Sequence, residues 1–158
     1  MDGAGLSRIL IALDGSPQSA EACRLAAELA RCYGAALLAL HVATPVAPGG
    51  SVSPAEYLRA EDAARAQGNR VLEEARILVR GLVSFAAELE FGNPAEVICR
   101  RARELDVDLV VVGTRGLGTL DRLLLRSVSS AVVQQAHCSV LVVRPRKADR
   151  PSPSDSGP

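Results

Sequence analysis

Tryptophan is absent from this 158-residue chain, and its aromatic residues are Tyr33, Tyr57, Phe85 and Phe91. The core is therefore aliphatic and alanine-rich rather than ring-stacked. Lysine is almost absent as well, because Lys147 is the only one among 18 basic residues. That excludes chemistry needing a buried lysine inside the domain, such as a P-loop lysine or a Schiff base. Net charge is lacking too: 18 basic residues balance 18 acidic ones, so no general attraction to nucleic acid or an anionic membrane is expected. The cysteines Cys23, Cys32, Cys99 and Cys138 form no CxxC pair, and with only His41 and His137 beside them a zinc site has almost nothing to draw on. No apolar run approaches the ~20 residues of a membrane span, and Met1 to Ser7 does not read as a secretory leader. The expectation is a reduced, cytoplasmic protein with no resident metal.

What is present is a repeated β–α grammar. At 48% hydrophobic and 23% charged, the composition is that of an ordinary folded domain, and the length suits one. Ile9 to Leu13, Ala36 to Ala43, Leu109 to Val112 and Val140 to Val143 are apolar on both faces, the mark of parallel strands covered by helices. Phe85 to Phe91 alternates apolar with Ala86, Glu88 and Glu90, which predicts an edge strand with one wet face. Ser16-Pro17, Ser53-Pro54-Ala55-Glu56 and Asn93-Pro94-Ala95-Glu96 read as helix starts. A last helical pattern runs from about Thr119 to Ala136, with a break near Arg126–Ser127. Five strands alternating with four helices specify an α/β, doubly wound domain with a five-stranded parallel sheet and Rossmann-like or flavodoxin-like layering. Its expected extent is residues 1–147, with 148–158 a disordered Pro/Ser-rich tail.

Ligands of such sheets bind beyond the carboxyl ends of the strands, where the strand order reverses. The richest stretch there is Gly113-Thr-Arg115-Gly116-Leu-Gly118, followed by Ser127-Val128-Ser129-Ser130. Glycines let the backbone approach a ligand, and serine hydroxyls near a helix start add donors, so together they suit a polyphosphate. Asp14 either meets a ligand or accepts hydrogen bonds from its own loop. Ser127 also suits a helix cap, Arg115 a solvated loop, and the two histidines packing or helix-terminal positions.

Here the sequence resembles the universal stress protein family over nearly the whole folded chain. The resemblance is carried by Ile-Ala-Leu-Asp14-Gly-Ser16, Leu40-His-Val42, Val110-Val-Val-Gly113-Thr-Arg-Gly116-Leu-Gly and Ser127-Val-Ser-Ser-Ala-Val-Val through His137-Cys-Ser-Val-Leu-Val-Val143. ATP-binding members share Gly, two residues, Gly, nine residues, then Gly and Ser or Thr. Gly113, Gly116 and Ser127 match, but Arg126 stands where those members keep glycine. The resemblance implies an ATP site in which Ala12, Asp14 and Val42 meet the adenosine end. Gly113, Arg115, Gly116, Ser127, Val128 and Ser129 would then hold ribose and phosphates. Asp14 also offers a hard ligand to a Mg2+ ion bridging the phosphates.

The expected function is a small ATP-binding stress-response switch or sensor. No nucleophile–base pair is evident, so hydrolysis would be slow at most. The alternative is a nucleotide-independent dimeric interaction module that has lost ATP through Arg126. A phosphoacceptor receiver is excluded, since the third strand runs into Phe91-Gly92-Asn93 rather than an aspartate. The last strand, Val140 to Val143, is apolar throughout and by resemblance lies at a sheet edge, which predicts a homodimer.

Overall fold

The computed structural model describes residues 5–44, 52–82, 84–114 and 128–144. Five strands and four helices alternate as β1 (Arg8–Leu13), α1 (Pro17–Tyr33), β2 (Ala36–Ala43), α2 (Pro54–Leu78), β3 (Phe85–Phe91), α3 (Pro94–Glu104), β4 (Leu109–Gly113), α4 (Val128–Gln135) and β5 (Ser139–Val143). The strands pair in parallel in the order β3-β2-β1-β4-β5. This is the doubly wound α/β sheet read from the sequence. The order reverses at β1, which lies between β2 and β4. The expected helix start at Thr119 and the tail 148–158 lie outside the described residues.

The helix starts form where their capping chemistry sits. The Ser16 side chain accepts from the Ser19 N–H with Pro17 behind it, and Asn93 does the same for Glu96 N–H. At α2, Ser53 and Glu56 cap each other reciprocally, which satisfies N–H groups that the first turn leaves without helical partners. Helix α1 stops at Gly34, whose φ of 67° is cheap only for glycine.

Side chains alternate strictly across the sheet. Ile9, Ile11, Leu13, Leu37, Ala39, Leu109, Val111 and Val143 pack with the α1 alanines and with Val71, Leu72 and Ala75 of α2. Leu10, Leu38, Leu40, Val110 and Val112 pack with α3, and with Val132 of α4. Cys23 and Cys99 are buried small residues, one on each side.

Strand β3 is an edge strand, as its alternation predicts, but its polar face is not simply wet. Glu88 and Glu90 face α3, where Arg101 bonds both and Arg100 bonds Glu90. Glu104 closes the group by bonding both arginines. The alternation was read as exposure because a carboxylate's partner ten or more residues away leaves no mark on the local pattern. At the opposite end of the sheet from the strand C-termini, Asp108 Oδ2 accepts the N–H groups of Ser7 and Arg8 at 2.8 Å each. Those bonds hold its carboxyl below the usual carboxylate range.

Candidate functional site

The C-terminal ends of β1, β2 and β4 meet at the point of reversal. Ala12 pairs with Leu40 of β2 and Val112 of β4, so Asp14 lies two residues beyond that row and Gly113 one. Ala12 and Val42 share the α3/α4 side of the sheet. Earlier residues on this side, Leu10, Leu40 and Val110, are completely buried. Ala12 and Val42 are only partly covered, so the sheet opens at this end and presents two small apolar surfaces on adjacent strands.

Asp14 is exposed at the lip of that opening, in a turn cross-linked by short polar side chains. The Ser16 N–H donates to Asp14 Oδ1 at 2.9 Å, and Ser19 Oγ donates to the Ser16 carbonyl at 3.0 Å. Gly15 has a φ of 81°, a turn geometry that favours glycine, and a Cβ there would crowd Val71 Cγ2 at 3.0 Å. Of the two readings of Asp14, the loop bond is therefore present. It does not displace the other, because a carboxylate has about four acceptor directions.

Gly113 ends β4 for a reason that its motif does not announce. A Cβ there would stand 2.9 Å from both the carbonyl carbon and oxygen of Gln18, and 3.0 Å from Ser19 N. The first turn of α1 lies against the strand end, and only glycine admits it. Thr114 continues the β4–β5 ladder, its N–H donating to the Val143 carbonyl at 2.9 Å.

On the α4 side, Ser129 lines a cavity of about 380 Å³ with Thr114, Ser130, Val142 and Arg144, among others. The structure thus brings Ala12, Asp14, Val42 and Gly113 to one end of the sheet and sets Ser129 of α4 beside Thr114 at the end of β4, whereas Val128, the first residue of α4, is exposed. Arg115, Gly116, Arg126 and Ser127 lie outside the described residues. Thr114 belongs to the glycine-rich stretch that the sequence singles out, whereas Arg144 was missed, although it directly follows β5, which is the signal that could have found it.

Neither histidine is placed as a base at this opening. His137 is exposed between α4 and β5. His41 is buried on the other side of the sheet, its Nδ1 2.8 Å from the Leu13 carbonyl. Among the described residues no cluster of three His, Cys, Asp or Glu side chains forms a metal site, and no helix is long and apolar enough to cross a membrane.

The arrangement is that of a doubly wound α/β domain whose strand order reverses at β1, the class whose ligands sit beyond the strand ends. A model described as "Universal stress protein family" matches residues 5–144, and the chain belongs to that family. It is 39% identical over 142 residues to a universal stress protein of Thermus aquaticus, covering 86% of this chain and 97% of that one. Among solved structures it is similar to the universal stress protein UspA from Lactobacillus plantarum, with TM-score 0.76 and 26% identity over 90% of this chain and 100% of that one. It is also similar to a universal stress protein family protein from Arabidopsis thaliana with AMP bound, with TM-score 0.65 and 26% identity over 94% and 97% of the two chains.

Proposed function

We propose that this chain binds an adenine nucleotide, ATP foremost, in the opening at the ends of β1, β2 and β4, and acts as a cytoplasmic stress-response switch or sensor. The observation that carries the reading is the partly uncovered pair Ala12 and Val42 beside Asp14, at the point where the strand order reverses. The small apolar pair suits the flat face of a base, and an aspartate at the lip suits a ribose hydroxyl. The Arabidopsis relative with AMP bound supports the same ligand class.

In this reading Ala12, Asp14 and Val42 hold the adenosine end. Gly113, Arg115, Gly116, Ser127, Val128 and Ser129 hold ribose and phosphates. The role of Gly113 falls to its peptide groups, since its missing side chain is accounted for by α1. A Mg2+ ion would come with the phosphates. Such an ion keeps most of its shell in phosphate oxygens and water, so one nearby carboxylate such as Asp14 fits it without a cage of protein ligands. It would neutralise phosphate charge. With His41 committed to a backbone carbonyl on the far side of the sheet, hydrolysis is slow at most. The domain spans 1–147. Strand β5, at the sheet edge with Val140, Leu141 and Val142 only partly buried, pairs with a second copy to make a homodimer.

Isothermal titration of the purified chain with ATP and AMP tests the reading. Binding is expected, and at ~100-fold excess over Kd the ligand should add about 2.7 kcal/mol of stability. Asp14→Ala should weaken it about tenfold or more, the loss of a charge-assisted hydrogen bond. No heat and no thermal shift at millimolar nucleotide would leave the nucleotide-independent dimeric module as the better account. Recovery of binding in Arg126→Gly would then identify the residue responsible.

A further inference from the structure

The pairing between β1 and β2 ends at Leu13 and His41, immediately before Asp14 and Val42. At that last rung a side chain supplies a hydrogen bond between the strands. His41 Nδ1 stands 2.8 Å from the Leu13 carbonyl oxygen, and His41 is only 8% exposed. A carbonyl only accepts, so Nδ1 carries the proton and donates.

The ring is held from its other side. Gly68 lies in the interior of α2, where glycine costs roughly 1 kcal/mol relative to alanine. A Cβ at Gly68 would stand 2.7 Å from His41 Cδ2 and closer still to Leu89 Cδ1. The helix therefore gives up a methyl group where the imidazole passes. Two elements are adjusted to the ring, and the ring bonds the residue before Asp14.

We propose that His41 is a positioning residue for the nucleotide opening. From behind the sheet it fixes the Leu13 carbonyl, and with it the departure of the Asp14 turn relative to Val42. The inference rests on the nucleotide reading above. It assigns His41 no contact with ligand, since its side chain lies on the α1/α2 side while Ala12 and Val42 lie on the other.

The test compares His41→Asn with His41→Leu by AMP titration and thermal melting. The two replacements share the same branching at Cγ and the same number of side-chain heavy atoms. Only asparagine donates to the Leu13 carbonyl. His41→Asn is expected to keep AMP affinity within about threefold of wild type, whereas His41→Leu falls about five- to tenfold, the scale of one hydrogen bond. A purely structural histidine predicts the reverse, because leucine is the better-tolerated buried residue. Equal affinity in the two variants, or weaker binding by His41→Asn, overturns the inference while leaving the nucleotide reading intact. Absence of AMP and ATP binding in the wild type removes both. Should either variant fail to fold, Gly68→Ala displaces the ring without touching position 41. It is expected to weaken AMP several-fold, and unchanged affinity in a folded Gly68→Ala protein overturns the inference.

Discussion

On the α1/α2 face of the sheet the helices approach until a single methyl group is excluded. On the α3/α4 face, at β3, a layer of guanidinium and carboxylate groups stands between strand and helix. At Gly113 the neighbour is the backbone of Gln18 and Ser19, and at Gly68 it is the Leu89 side chain together with the His41 ring. Across the sheet, Arg101 reaches Glu88, Glu90 and Glu104, with its side chain 18% exposed. The first face is held by steric fit and apolar contact, which respond weakly to salt and pH. The second, at its β3 edge, is held partly by charge and responds to both. The opening at the ends of β1, β2 and β4 lies between these regimes, its turn and glycine fixed from the close-packed side.

The largest expected effect comes from adding one carbon to the close-packed face. Gly113→Ala sets a Cβ 2.9 Å from a helix backbone that cannot rotate away, unlike the end of a flexible side chain. A loss of about 2–3 kcal/mol is expected, as for overpacking where neighbours cannot relax. In a domain of this size that lowers Tm by about 5–10 °C. Because α1 carries the Ser16 and Ser19 half of the Asp14 turn, nucleotide affinity should fall with it. Chemical denaturation of Gly113→Ala with an unchanged midpoint would break the comparison at its stronger end.

On the charged face the same measurement should give less. Arg101→Met keeps much of the aliphatic stem and removes the guanidinium. The expected cost is about 1 kcal/mol or less, since Glu88 and Glu104 are open enough to water to be rehydrated. The difference from wild type should shrink in 1 M salt, whereas that for Gly113→Ala should persist. A salt-independent loss would mean that packing, not charge, holds α3 to β3.

The acid limb sharpens the same contrast. Hydrogen bonds from Arg101 and then Arg100 hold the Glu104 carboxyl below the usual carboxylate range. A group depressed in the folded state contributes stability that is fully present above its unfolded value, about 4.3 for glutamate. That contribution is lost as pH falls through the lower folded value. Asp108, held down by the Arg8 and Ser7 N–H groups, has the same sign. Wild type should therefore lose Tm below about pH 4.3, and Arg101→Met should lose less over the same interval. Parallel acid limbs would show that Glu104 contributes nothing through these partners.

Much of this was legible in the sequence, and the parts that were not share a cause. Ala36–Ala43 reads as a strand because a run apolar on both sides has only one kind of place in such a sheet. Ser16, Ser53 and Asn93 read as caps because their partners lie three residues on. That Asp14 and Gly113 stand at strand ends was legible from the apolar runs before them, whereas grouping Ala12 and Val42 with Asp14 rested on the family resemblance. What escaped were contacts between distant parts of the chain. Gly113 was read for what it admits in front, yet the helix behind it lies more than ninety positions away in sequence. His41 and Gly68 are each unremarkable alone; only packing α2 on the sheet shows that one makes room for the other. Helix α4 is described only from Val128, so the expected start near Thr119 lies outside the described residues.

The smallest effect separates the faces by their cysteines. Cys23 on α1 is fully buried, and burial pushes its thiol up to about 11. Cys99 on α3 is 5% exposed, and burial raises it too. Exposed Cys32 should react with a disulfide reagent well ahead of Cys23 and Cys99, because access to it is open. Cys23 and Cys99 should react only through opening of the structure. If the alanine-rich α1 face is the tighter, Cys23 should label at the rate set by global unfolding. Cys99 should label faster, through partial detachment of α3, and its advantage should grow in Arg101→Met. Labelling of Cys23 ahead of Cys99 in native buffer would reverse the order of the two faces. It would show that the methyl-excluding contacts mark tight geometry at a few points rather than the stability of the whole layer.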